Sequence, residues 1–138
     1  LPLPLKVVRH ISLENHIAFD TLLSGRGTAE AMCVLLRAIY MFFFMIGGGV
    51  EVSSFLRAEA ALESSIRLSM SGWELRVDER CSPNIRAMLL RFDEVLTKTS
   101  LAHYRASCRK LTAFSRSSMG SPLPGSRVAI SLFVLARM

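Results

Sequence analysis

The chain has 138 residues, 51% of them apolar, with 17 Lys and Arg against 11 Asp and Glu. That length fits one domain with a real core, and the apolar content excludes a disordered chain. The charge is lopsided: residues 1–94 carry a net −1, whereas residues 95–138 hold seven Lys and Arg, no acid, and a net +7. Such asymmetry belongs to a chain with a polyanionic partner, nucleic acid or an acidic membrane surface, or to one with a solvated basic face.

In chain order, residues 1–11 read as an extended arm, with Pro2 and Pro4 at its start and Val7, Val8 and Ile11 at its end. Leu1 in place of an initiator Met reads as a start inside a longer frame, and the two prolines exclude a helical signal core in this stretch. Ser12 is a candidate N-cap with Glu14 in the first turn, where the helix dipole favours an acid. Leu13, Ile17, Phe19, Leu22 and Leu23 then place an apolar stripe on a helix over 13–24. Gly25-Arg26-Gly27 breaks it, and Thr28 can cap the next.

That next helix organises the chain. Residues 29–46 (AEAMCVLLRAIYMFFFMI) are apolar on nearly every side, and from Ala31 to Ile46 the only charge is Arg37. Such a helix must be surrounded by protein or by lipid. A span needs about 20 apolar residues, and a central arginine costs about 2.5–3.5 kcal/mol on insertion. A buried core helix is therefore expected over a membrane element, with Arg37 at an edge snorkelling its head to water.

Gly47-Gly48-Gly49 lets the chain reverse. A third helix is predicted from Val52 or Ser54 to Ser69, with Phe55, Leu56, Leu62 and Ile66 inward. Arg57, Glu59, Glu63 and Arg67 face water in this reading, and Glu63–Arg67 forms a favourable i,i+4 pair. Trp73 to Val77 alternates at period two, either as a short extended segment or as a loop anchored by Trp73. Ser82-Pro83 starts a fourth helix, whose face of Ile85, Met88, Leu89, Phe92, Val95 and Leu96 has the clearest periodicity in the chain. Thr99 or Ser100 caps a fifth, to about Ser115, with Leu101, Tyr104, Cys108, Leu111 and Phe114 inward. Ser115 to Ser126 is linker-like, and 128–136 form an apolar tail, strand or helix, that docks on the bundle or a partner.

The expected fold is all-α: an antiparallel bundle of four to five helices around the central helix 29–46. Its parts are an extended arm (1–11), a bundle domain (12–116), and a linker with an apolar tail (117–138).

Signs of catalysis or metal binding are weak. His10 and His16 are six apart, not the i,i+4 spacing of a helical zinc pair. His103 and Cys108 lie roughly 140° apart around a helix and do not pair base with nucleophile. Cys33, Cys81 and Cys108 give neither a disulfide framework nor a zinc signature, and read as reduced thiols in a cytoplasmic protein. Cys81, beside Arg80 and just before a helix, is the most reactive in setting, opposed by Asp78 and Glu79. Gly47-Gly48-Gly49-Val50 lacks the Lys of a phosphate loop, whereas Gly25 to Thr28 precedes a helix whose free N–H groups can hold an anion. The expectation is a non-enzymatic chain without cofactor or metal.

The basic fifth helix is the functional lead. With its apolar stripe inward, Arg105, Arg109 and Arg116 share the outer side with Lys110 adjacent, and residues 85–116 read as a helix-turn-helix placing the last helix in a major groove. There Arg and Lys contact phosphate, and Arg can read guanine. The turn lacks glycine.

Residues 9–19 (RHISLENHIAF), 27–31 (GTAEA) leading into 35–40 (LLRAIY), and 57–62 (RAEAAL) resemble a group of small proteobacterial helical proteins that carry the label Fis-family transcriptional regulator. The resemblance spans about residues 1–125 and lies in helical-core patterns, so it implies regulation through DNA without assigning site residues. The alternative is a helical interaction module, an adaptor or homodimer, using apolar surface around Met41–Met45 or the 128–136 tail. A membrane-associated protein anchored by 31–46 is a third reading.

Overall fold

A computed structural model describes residues 1–47 and 51–128. Five α-helices account for the described fold: α1 (Leu5–Leu23), α2 (Ala29–Ile46), α3 (Val52–Met70), α4 (Ser82–Lys98) and α5 (Leu101–Ser115), with a 3-10 turn at Glu79–Cys81. The fold is an all-helical bundle. α2 is its axis, for α1, α3, α4 and α5 each pack against it. Met32, Leu35, Leu36, Ile39, Tyr40 and Phe42 are all fully buried there. By length and composition α2 could cross a membrane, yet in this fold most of its apolar residues are buried by protein, with Cys33, Phe43, Phe44 and Ile46 partly exposed. Phe42 shows how: its ring stacks on Phe92 of α4 at 5.4 Å and leans on Phe55 of α3 at 5.3 Å. Arg37 lies at the edge as expected, about half exposed.

The start of α1 corrects the sequence reading. The helix begins at Leu5, with Pro4 as its N-cap, so only residues 1–4 are extended and Ser12 lies inside the helix. Val7 and Val8 are weak helix formers, but the difference from good ones is under about 1 kcal/mol per residue. Burying Val8, Ala18, Phe19 and Leu22 on one face outweighs it. That face is rotated from the predicted stripe: Leu13 and Ile17 are 61% and 56% exposed. The short arm is tied to the α4–α5 junction by Leu3 N–H donating to the Thr99 carbonyl (3.2 Å) and Leu101 N–H to the Leu1 carbonyl (2.8 Å).

Thr28 caps α2 as expected, its Oγ1 accepting from Ala31 N–H at 3.1 Å. The loop before it is pinned by Gly27. A Cβ there would stand 2.0 Å from the Leu75 carbonyl oxygen and 2.6 Å from Leu22 Cδ2. Gly27→Ala is accordingly expected to cost about 1–3 kcal/mol, read as a lower urea midpoint with an unchanged slope. The partner segment, 71–78, is a loop in which Leu75 and Val77 are buried and Trp73 is 71% exposed. Trp73 is therefore not its anchor. The alternation holds for Leu75 and Val77, which turn inward while Glu74 and Arg76 face out, and the Ser65 hydroxyl fixes the loop by donating to the Arg76 carbonyl (2.6 Å).

Two further expectations on α3 and beyond part company. Glu63–Arg67 is paired at 2.6 Å, as its spacing implies. Glu59 does not face water; it is 1% exposed. Its carboxylate accepts the Tyr40 hydroxyl (2.6 Å), the Ser126 hydroxyl (2.5 Å) and the Ser121 hydroxyl. Burial, and then the hydrogen bond to Glu59, push the Tyr40 phenol well above its usual range, so it stays a donor. Residues 117–128 are thus a docked segment and not a free linker, with Leu123 at 4% exposure beside these contacts. The predicted tail from 129 onward, and Gly48 to Val50 of the predicted reversal, lie outside the described residues.

Candidate nucleic-acid interface

α5 is built by its two ends and its inner face. Ser100 caps it, the hydroxyl oxygen accepting from His103 N–H at 3.1 Å. The His103 ring bonds through Nε2 to the Met45 carbonyl at 2.6 Å, one of the carbonyls that the last turn of α2 leaves without a helical partner. His103→Ala is expected to lower stability by about 1 kcal/mol, measured by thermal unfolding, without altering the outer face of α5. Ser107 and Phe114 are buried, and Tyr104, Cys108 and Leu111 pack partly against the core. The Phe114 ring meets Tyr40 edge-on at 5.3 Å.

This inner face fixes the outer one. At 100° per residue Arg105, Arg109 and Arg116 fall within about 40° of one another, and Lys110 stands about 100° from Arg109 on the other flank. All four are exposed. None of them forms an ion pair among the described residues. From Arg105 to Arg116 the helix rises about 16 Å, several steps of a DNA strand at about 3.4 Å each. The structure therefore brings Arg105, Arg109 and Arg116 onto one exposed line of α5, with Lys110 exposed on its flank.

It does not arrange α4 and α5 as the expected helix-turn-helix. Such a motif joins its helices by a turn of about 3–4 residues and packs them on each other. Here only Thr99 and Ser100 separate the helices, and α5 takes its packing from α2. The first turn of α5, which would enter the groove, is partly covered by the arm through Leu1 and Pro2. What remains available is the outer side of α5, a geometry for phosphates more than for base edges.

The other polar candidates have local partners. His10 sits 3.6 Å from Glu14, and His16 bonds to Asp93 at 2.8 Å, tying α1 to α4. That second pair spans 77 positions and left no signal in the sequence. Cys33, Cys81 and Cys108 are unpaired and half-buried. Met41, Phe42 and Met45 are buried, so of the apolar surface expected around Met41–Met45 only Phe43 and Phe44 stay partly exposed among the described residues. Comparison with known proteins gave no match to a family model, to a curated protein or to a solved structure.

Proposed function

We propose that the chain is a non-enzymatic helical module that binds duplex DNA through its phosphates, using Arg105, Arg109, Lys110 and Arg116 on the outer side of α5. The observation that carries this reading is an exposed set of cations without acidic partners among the described residues, on a helix followed by no acidic side chain anywhere in the remaining sequence. Phosphate contacts supply affinity without sequence preference. Fluorescence anisotropy of a labelled random-sequence duplex, titrated with the full chain at low ionic strength, tests it. Saturable binding that differs little between sequences is expected; an unchanged anisotropy overturns the reading.

A second reading, a protein-interaction module, draws on Leu68, Met70 and Trp73, each more than half exposed near the end of α3. Its mark is a mass that rises with concentration in sedimentation.

A further inference from the structure

A cavity of about 290 Å³ opens between α1, α2, α4 and α5. Val34, Ala38, Met41 and Phe92 give it an apolar lining. Asn15 of α1 also lines it; the residue is 5% exposed, and its amide nitrogen has no hydrogen-bond partner among the described residues. A buried donor in that state costs as much as a broken hydrogen bond, so a native chain keeps one only for a reason. Arg37 and Glu14 line the same space, each about half exposed, with 3.9 Å between guanidinium and carboxylate. That separation is too long for a hydrogen bond and leaves the guanidinium fork unused. Across from them is Tyr104, whose phenol is pushed up to about 12, mainly by burial and then by its neighbour Cys108. At neutral pH it too is a hydroxyl donor.

These donors share one cavity, in which the Asn15 amide nitrogen has no acceptor among the described residues and Arg37 has only the Glu14 carboxylate, beyond hydrogen-bond distance. The permanent charge of Arg37 favours an anionic acceptor. Glu14, next to Arg37, opposes a second negative charge and so limits the head group to one. We infer that this cavity is a binding site for a small monocarboxylate with an apolar body, its carboxylate held by Arg37 and Asn15 and its hydrocarbon laid on Met41 and Phe92. The site faces the inner side of α5 and shares no residue with the proposed DNA face, so it stands or falls separately from that reading.

Hexanoate is a suitable probe, with hexan-1-ol as a partner of equal chain length and no charge. Nuclear magnetic resonance of the full chain follows the Asn15 side-chain amide and the Met41 methyl. Hexanoate is expected to shift both saturably, and a ligand of about eight non-hydrogen atoms places Kd in the millimolar range. Hexan-1-ol and the Arg37→Gln variant are each expected to bind about tenfold more weakly or worse. Glu14→Gln, which removes the opposing charge, is expected to tighten hexanoate binding about threefold. Both substituted positions are half exposed, so the fold survives each change. The proposal is overturned if neither signal moves at about 50 mM hexanoate, if hexan-1-ol binds equally well, or if Arg37→Gln binds like the original chain. The first result marks a water-filled cleft and the other two an apolar hole without a carboxylate site.

Discussion

Glu59→Ala is expected to lower the unfolding free energy by about 3 kcal/mol. The change leaves the Tyr40, Ser121 and Ser126 hydroxyls without their shared acceptor, in a place that water does not reach freely. It also opens a void at a position that is 1% exposed. Glu59→Gln keeps one acceptor oxygen and nearly the same volume, and about half that loss is expected. Ser126→Ala removes one bond and should cost about 1 kcal/mol. Urea unfolding measures all three, with the midpoint falling in that order. The same cluster holds residues 117–128 on the bundle. In Glu59→Ala, trypsin should therefore cut after Arg116 well before the core is digested, while the original chain resists at that bond. An unchanged midpoint, or a cleavage pattern like that of the original chain, contradicts the role given to Glu59.

Arg105→Glu combined with Arg109→Glu is expected to weaken duplex DNA binding by about 100-fold or more at low salt. Two phosphate partners are lost and two repulsive charges take their place. Both side chains are exposed and make no ion pair among the described residues, so helicity and thermal midpoint should stay close to those of the original chain. Arg26→Glu with Arg57→Glu carries the same change in net charge at exposed positions on other elements. It should cost only a few-fold, through the general field of the molecule. Equal losses in the two double variants would mean that net charge, and not the α5 face, governs binding.

What could be read in advance follows a physical line. α2 and α5 were legible end to end because local signals agree: Thr28 and Ser100 are strong caps, and the apolar spacing after each is helical. The basic side of α5 was legible for the same reason, since it needs only helical periodicity. The start of α1 was not. Val7, Val8 and the prolines favour extended chain locally, and the burial that reverses the preference comes from α2 and α4. Nor was Glu59, which has the local pattern of a solvated helix residue; two of its partners lie 62 and 67 positions away in a Ser- and Pro-rich stretch that resembles a linker. The cavity around Asn15 could not be seen either. Asn15, Arg37 and Tyr104 stand on separate helices, and no spacing in the sequence relates them.

The salt dependence of duplex DNA binding separates phosphate contacts on the α5 face from other sources of affinity. Four phosphate contacts, one for each cation of the α5 face, predict that log K falls linearly with log salt concentration at a slope of about −3.6. In Arg105→Glu/Arg109→Glu the slope should flatten to about half of that. A steep slope in the original chain and a flattened one in the variant are expected. Binding that is absent at the lowest salt, or that is indifferent to salt, would contradict the proposed phosphate contacts.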